Sequence, residues 1–251
     1  MSNYNSLTGK WVLITGGAGG IGRALAEAFA AVGSNIIFCC RTQTTAVDEF
    51  LDAIKSRSGV KTALLCFDIT DFSATQRAIS SLQSMGIQAD VLINNAGAAH
   101  GGLTLLTPMS QIKNIFEINF FSQVYISQLV GKLMLRRRSG CIINIASIAG
   151  LDQKSGNIAY GASKSALIYA TGVLAQELGP HGIRVNAIAP GLTDTAMADK
   201  MEEKAKADMV AGSCMKRLAT PAEIAGVSVF LASAEACFVN GQTIRVDGGM
   251  Q

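Results

Sequence analysis

Seven short apolar runs punctuate the chain, at residues 11–15, 35–40, 63–67, 91–94, 141–146, 184–189 and 243–246. Most are rich in Ile, Val and Leu, and polar residues do not alternate with them. A strand with one wet face reads apolar, polar, apolar; an unbroken apolar run reads as a strand buried on both faces of a parallel sheet. Between the runs lie longer stretches patterned for helices: 21–32, 44–58, 72–85, 108–138 with a break expected inside it, 157–178 and 221–232. In the first of these, Leu25, Ala26 and Phe29 recur at helical spacing. Gly179-Pro180 closes the 157–178 stretch. Thr220-Pro221 with Glu223 opens the last helix with a cap residue, a first-turn proline and an acid at the third helical position. Alternating strands and helices imply right-handed crossovers and a doubly wound α/β sheet. No linker, repeat or low-complexity tract interrupts the pattern, so residues 1–251 are expected to form a single domain.

Composition narrows the function. With 49% hydrophobic and 16% charged residues, the chain reads as a well-buried globular protein and not a disordered one. A net charge of +3, spread along the chain, is too weak a footprint for a nucleic-acid partner. The one basic cluster, Arg136 to Arg138, reads either as cations complementing a helix C-terminus or as a docking patch for an acidic or phosphate-bearing partner. Six cysteines (Cys39, Cys40, Cys66, Cys141, Cys214 and Cys237) form no C-x-x-C pair and read as small buried hydrophobes in a reducing compartment. His100 and His181 are far apart in sequence, and no metal site is expected. The polar N-terminus lacks a signal-peptide pattern, and no apolar run is long enough to span a membrane. The expectation is a cytoplasmic protein without nucleic-acid or membrane partners.

The first apolar run leads into Thr15-Gly16-Gly17-Ala18-Gly19-Gly20-Ile21-Gly22, and a helical stretch follows. Bare glycine backbone between a strand and a helix allows a tight turn and lets a pyrophosphate approach the helix N-terminus. Two registers compete: Gly17, Gly19 and Gly22 as G-x-G-x-x-G, or Gly16, Gly20 and Gly22 as T-G-x-x-x-G-x-G. Glycines so spaced can also form a tight structural turn alone, but their place after a first strand favours a Rossmann-type sheet and a dinucleotide cofactor. The second run ends in Cys39-Cys40-Arg41, and no acid follows until Asp48. An NAD site usually places an acid here to bind ribose hydroxyls. Arg41 reads either as a solvated loop charge or as a grip on a 2′-phosphate, with Thr42 adding a hydroxyl; the second is favoured, so the expected cofactor is NADP(H), with NAD(H) left open. Asp68, after the third run, is placed either to accept a hydrogen bond from an adenine or to cap a turn near Thr70 and Asp71; Ile69 beside it is counted with the cofactor-binding residues.

Tyr160-Gly161-Ala162-Ser163-Lys164 lies in a helical stretch, where i,i+4 spacing puts Tyr160 and Lys164 on one face. A phenol ordinarily titrates near 10. An ammonium nearby stabilises the phenolate and makes the tyrosine a usable acid and base closer to neutral pH. Alone, Y-x-x-x-K is common on solvated helices. Here the glycine turn in its T-G-x-x-x-G-x-G register, Asn94-Asn95-Ala96-Gly97, Asn119, Ser147, Tyr160 with Lys164, Pro190-Gly191 and Val246-Asp247-Gly248-Gly249 follow in order. In that order and spacing the chain resembles the short-chain dehydrogenase/reductase family over essentially its whole length.

The resemblance implies roles residue by residue. Ser147 is similar to the serine that hydrogen-bonds the substrate oxygen. Tyr160 is similar to the general acid of reduction and base of oxidation. Lys164 would lower the tyrosine pKa and bind the nicotinamide ribose, and Asn119 would anchor a water of the proton relay. Gly16, Gly20, Ile21 and Gly22 would meet the pyrophosphate; Asn95, Ala96 and Gly97 would line the cofactor. Pro190, Gly191, Thr193 and Thr195 resemble the segment that approaches the nicotinamide amide and pyrophosphate. Two departures stand out. Gly19 occupies a position where many NADP-preferring members carry Arg or Lys, and Ala146 one where many carry a second serine.

Residues 192–217 occupy the place of the family's substrate lid, with Met197, Met201, Met209 and Met215 either as an adaptable apolar surface or as ordinary helix core. The chain looks most like bacterial β-ketoacyl-[acyl-carrier-protein] reductases. That implies a substrate carried on an acyl-carrier protein or coenzyme A, with Lys132 and Arg136 to Arg138 as aids to an acidic carrier. Ala98-Ala99-His100-Gly101-Gly102 departs from the Thr-Arg-Asp often found there. A sugar, polyol or other small carbonyl is the alternative, with Asp152, Gln153 and Lys154 as polar partners. A nucleotide sensor without turnover is a third reading. The resemblance also implies a homotetramer of dihedral symmetry, packed through 234–246 and the helices around Phe120 and Ala166.

Overall fold

Each apolar run splits its side chains between two cores. In β2 (Asn35–Cys40), Ile36, Phe38 and Cys40 face one way, and Ile37 and Cys39 the other. In β1 (Trp11–Ile14), Val12 and Ile14 oppose Leu13 in the same fashion. This is why the runs show no alternation: both faces are dry. The computed structural model describes residues 4–250. The other strands are β3 (Thr62–Cys66), β4 (Ala89–Asn94), β5 (Gly140–Ile145), β6 (Ile183–Pro190) and β7 (Thr243–Val246). All seven form one parallel sheet in the order β3-β2-β1-β4-β5-β6-β7. This is the Rossmann-type doubly wound sheet that the alternation of elements implied.

One core is closed by α1 (Gly20–Ala31), α2 (Thr45–Ser58) and α8 (Pro221–Ala232), which contribute Leu25, Phe29, Leu51 and Ile224. The opposite core is closed by α3 (Phe72–Ser84), α5 (Ser122–Arg137) and α6 (Ile158–Leu178), through Ile79, Leu82, Val130 and Leu178. The start of α8 is fastened as its sequence suggested: the Glu223 carboxylate accepts from the Thr220 N–H at 2.8 Å. Strand order reverses between β1 and β4, and crevices at such a switch point, beyond the strands' C-terminal ends, are where open α/β sheets bind ligands. Among the described residues no helix is long and apolar enough to cross a membrane.

The break expected within 108–138 is a π turn. α4 (Met109–Phe116) runs into one π-helical turn, Glu117–Phe121, before α5 begins. The extra residue of a π turn bulges the helix, and such turns recur at functional sites. Asn119 sits in the middle of this one and is fully buried.

Candidate active site

Three chain segments meet beyond the C-terminal end of β5. Ser147 follows the strand and caps a short 3₁₀ turn, Ile148–Gly150, its Oγ accepting from the Ala149 N–H at 3.1 Å. That turn lies flat on α6. A Cβ on Gly150 would come within 2.8 Å of the Lys164 carbonyl carbon, and one on Gly161 within 2.6 Å of the Ala149 oxygen, so both positions admit only glycine at this approach. The close fit sets the Ser147 hydroxyl beside the Tyr160 phenol, where it favours the ionised form. Lys164, one turn further along α6, is buried with its Nζ donating to the Ile145 carbonyl at 2.7 Å and lying 6.0 Å from the Tyr160 ring centroid.

Burial governs the ionisation of both groups. It lowers the Lys164 amine from 10.5 to about 8 and raises the Tyr160 phenol above its ordinary value, with the Ser147 hydrogen bond pulling the phenol back. In the chain alone the net direction of the Tyr160 pKa is upward, where the spacing to Lys164 had suggested a fall. Desolvation of the phenol wins, and the ammonium is turned toward Ile145.

Asn119 braces this cluster from the π turn. Its Oδ1 accepts from the Ala98 N–H at 2.8 Å, and its Nδ2 donates to the Ala98 carbonyl at 2.9 Å and to Ser163 Oγ at 3.0 Å. Ser163 in turn donates to the Tyr160 carbonyl at 2.7 Å. Gly97 lies between Asn119 and Lys164: a Cβ there would meet Asn119 Oδ1 at 3.3 Å and Lys164 Nζ at 3.4 Å. The loop after β4 is also tied to the approach to α6, the Gly102 N–H donating to the Gly156 carbonyl at 2.8 Å.

The glycine turn lies alongside, at the switch point. Gly16 has φ +63°, and a Cβ on it would meet the Ala96 Cα at 2.7 Å; Gly22 is equally closed, against Gly16 and Gly17. Gly17 packs on the Phe38 ring, whereas Gly19 faces open space apart from one carbonyl oxygen at 3.5 Å. A basic side chain at Gly19 would thus have room, and its absence is a choice of sequence rather than a steric demand. α1 starts without a side-chain cap or a first-turn acid, leaving its N-terminal N–H groups for an anion. Asn95 and Ala96 donate their N–H groups to Thr15 Oγ1, both at 3.0 Å, and Asn95 Nδ2 donates to the Thr15 and Gly16 carbonyls. Thr15 is fully buried and is the peg that fixes β4 to the glycine turn, a role its place at the head of the glycine sequence did not disclose.

Arg41 and Asp68 face each other at the ends of β2 and β3, at 3.5 Å, and the Arg41 side chain is 77% exposed and free to take a second partner. Asp68 Oδ1 accepts from Thr70 N–H and Oγ1 at 2.9 and 2.7 Å, which holds its carboxyl below the usual range, with Arg41 adding to the effect. Its turn-capping reading is therefore realised by Oδ1, and Oδ2 is directed to Arg41. Ile69 packs against the α3 core. Across the crevice, Gly191 follows β6 and donates its N–H to the Val246 carbonyl at 2.9 Å. Thr193 is buried with its hydroxyl on the Gly191 carbonyl, while Thr195 reaches the glycine turn: a Cβ on Gly20 would come within 2.9 Å of its methyl. Bare backbone at Gly16 and Gly22, open N–H groups on α1 and a cation at the end of β2 fit a dinucleotide.

Residues 192–217 carry α7 (Glu203–Gly212), which the pattern of the sequence did not single out and which buries none of its residues. Met209 leans on a small cluster with Ile148, Ala189 and Met250, whereas Met197 and Met215 are exposed. A cavity of about 80 Å³ lies between this segment and the Val246–Gly248 stretch.

Two expected polar contacts are placed differently. Asp152 is held by Arg245 in a bidentate pair at 2.8 and 2.9 Å, whereas its neighbours Gln153 and Lys154 stand exposed. Arg245 also bonds Asp247 and was not visible as a site residue in the sequence. Arg136 to Arg138 lie at the far end of the sheet, where Arg137 donates to the Ala89 carbonyl at 2.6 Å and Arg138 to the Pro180 carbonyl at 3.0 Å. Within one chain this patch is remote from Tyr160. His100 is half-buried and folds back toward Gly102.

A family model described as Enoyl-(Acyl carrier protein) reductase matches residues 16–251. The chain is 34% identical over 242 residues to a 3-oxoacyl-[acyl-carrier-protein] reductase of Escherichia coli (strain K12), covering 96% of this chain and 97% of that protein. It is 34% identical to Nodulation protein G of Rhizobium sp. (strain N33), with 97% and 98% covered. Among solved structures, a 7α-hydroxysteroid dehydrogenase in complex with NADH and 7-oxo glycochenodeoxycholic acid superposes with a TM-score of 0.92 at 31% identity, covering 100% of this chain and 98% of that one. A 3-oxoacyl-[acyl-carrier protein] reductase from Brucella melitensis ATCC 23457 gives 0.90 at 30%, covering 100% and 96%. Likeness of sequence and of fold along nearly the whole length carries the same message as the Tyr160 cluster: the chain belongs to the short-chain dehydrogenase/reductase family, oxidoreductases that use a nicotinamide cofactor on CH–OH and C=O groups.

Proposed function

We propose that the chain is an NADP(H)-dependent reductase of β-ketoacyl thioesters, with the acyl group carried on an acyl-carrier protein or coenzyme A. The observation that carries the reading is the convergence at one end of the sheet of a proton-donating Tyr160 and a cationic Arg41 with no acid at the end of β2. The two 3-oxoacyl-[acyl-carrier-protein] reductases named above support the thioester. When bound, NADPH supplies the hydride.

The chain's own residues do the rest. Ser147 donates a hydrogen bond to the ketone oxygen and holds it against Tyr160. Tyr160, kept protonated by burial, gives that oxygen its proton. Lys164 presents a buried amine to the nicotinamide ribose and, as the ammonium, favours the phenolate that Tyr160 becomes. Asn119, braced by its side-chain bonds to Ala98 and Ser163, would hold a relay water. Gly16, Gly20, Ile21 and Gly22 would hold the pyrophosphate, Arg41 the 2′-phosphate, and Asp68 with Ile69 the adenine. Asn95, Ala96, Gly97, Pro190, Gly191, Thr193 and Thr195 shape the walls, Thr193 through the backbone alone. Residues 192–217 close over the substrate.

A homotetramer in a cytoplasmic setting goes with this reading. Tyr169 and Val173 on α6, Phe121 beside Phe120, and Phe238 before the edge strand β7 are exposed apolar groups that support association through those faces. Six free thiols support a reducing compartment. The sugar or polyol reading loses Asp152 to Arg245 and keeps only Gln153 and Lys154.

The test is cofactor absorbance with acetoacetyl-coenzyme A, NADPH and NADH side by side. Fast oxidation of NADPH and slow oxidation of NADH is the expected result. Tight NADPH binding without turnover would overturn the thioester and turn the search to small carbonyls.

A further inference from the structure

Cys40 and Cys66 are the last residues of β2 and β3 and register partners in the parallel ladder. Their side chains therefore leave the same face of the sheet, and the two Sγ atoms lie 3.7 Å apart. Neighbouring strands are about 4.8 Å apart, inside the roughly 4.4–6.8 Å that a disulfide spans between Cα atoms. Closing the sulfurs to a bond of about 2.0 Å takes side-chain rotation and a small strand shift. β3 is an edge strand, with β2 on one side and no strand on the other, so it has room for that shift. Cys66 is exposed and Cys40 buried, and Cys40 Sγ also touches the Thr42 carbonyl at 3.3 Å. Cys39, next to Cys40, points into the opposite core and is out of this geometry.

The neighbours give the pair its meaning. Arg41 follows Cys40 directly, and Asp68 stands two residues beyond Cys66; these two face each other at 3.5 Å. We propose that Cys40 and Cys66 form a reversible disulfide on exposure to a hydroperoxide, and that closing it weakens NADPH binding by displacing Arg41. The effect on NADPH rests on the cofactor reading above; the disulfide itself does not.

The step balances with the peroxide as oxidant. The exposed Cys66 thiol attacks one peroxide oxygen; an S–O bond forms as the O–O bond breaks, giving a sulfenic acid and releasing water from hydrogen peroxide, or an alcohol from an organic hydroperoxide. The Cys40 sulfur then attacks the Cys66 sulfur; an S–S bond forms, the S–O bond breaks, and a water leaves with the Cys40 proton. Two thiols lose two electrons and the peroxide gains them. A dithiol reductant reverses the change by exchange. Burial and the neighbouring thiol raise the Cys40 pKa to about 11, which leaves the first attack to Cys66.

The experiment treats the full chain with hydrogen peroxide, maps disulfide-linked peptides with fragmentation that separates Cys39 from Cys40, and measures NADPH and NADH affinity before and after. The expected map holds a Cys40–Cys66 link. The Kd for NADPH is expected to rise about tenfold, on the order of one charge-assisted hydrogen bond, with much less change for NADH. Dithiothreitol restores the affinity, and Cys66→Ser abolishes both the link and the shift. Oxidation of Cys66 to sulfinic acid with no link, a link to Cys39, or a link that leaves NADPH affinity unchanged would each overturn the proposal. A reduced protein that binds neither nucleotide overturns the cofactor reading and with it the affinity effect, while a mapped link would still establish the disulfide.

Discussion

The groups borne on the sheet and the groups borne on residues 192–217 are held in opposite ways. Ser147, Tyr160, Lys164 and Asn119 stand at strand ends or on α6 and the π turn, and every one has a partner within the fold. α7, by contrast, buries no residue, and its Met209 touches only a small apolar cluster. Segments with few buried contacts open at low free-energy cost, whereas a braced cluster keeps its geometry to fractions of an ångström. On the proposed function, the difference assigns the chemistry to groups braced by the sheet and the choice of substrate to the less anchored residues 192–217.

Four measurements break or sharpen that contrast. Replacing Tyr160 by Phe removes the proton donor and should lower kcat by about 10³-fold, within the range for general-acid catalysis, with NADPH affinity and the circular dichroism spectrum unchanged. Activity within a few-fold of the parent enzyme would deny Tyr160 its role. Arg41→Ala should raise the Kd for NADPH by between about tenfold and a hundredfold and leave NADH nearly untouched. Equal losses for both cofactors, read by fluorescence titration, would reduce Arg41 to a solvated loop charge.

The pH profile tests the buried amine. Burial lowers Lys164 to about 8, so its ammonium is present below that pH and lost above it. For the reduction, kcat/KM should hold steady below pH 8 and fall by about tenfold per unit above it, and Lys164→Met should lose that limb along with most of the rate. A parent profile flat to pH 10 would mean that the amine's charge does not serve the reaction. The smallest effect belongs to the lid: Met209→Ala should raise KM for an acyl substrate a few-fold while kcat and Tm stay near those of the parent. A large fall in Tm would make Met209 a structural residue and erase the contrast drawn above.

The sheet was legible because strands buried on both faces need unbroken apolar runs, and each of the seven runs became one strand. The Tyr160–Lys164 pair was legible because both residues belong to one helix and their spacing is local. α7 was not, since a helix that buries no face leaves no periodic apolar signal. Contacts made at long range left no trace either: Arg245 meets Asp152 across 93 residues, and Thr15 meets Asn95 across 80. The direction of the Tyr160 pKa was also hidden, because it depends on how deeply the ring is buried and not on which residue stands four places on.

The π turn at Glu117–Phe121 has a consequence for how this chain can vary in length. One residue more or less in a continuous helix rotates everything beyond it by about 100°. The turn absorbs such a residue and thereby sets the phase between α4 and α5. Removing a single residue there would regularise the helix, yet would swing Asn119 away from Ala98 and Ser163 or turn the Val130 side of α5 out of its core. The length of this stretch is therefore fixed by the two packing faces that it has to keep in phase.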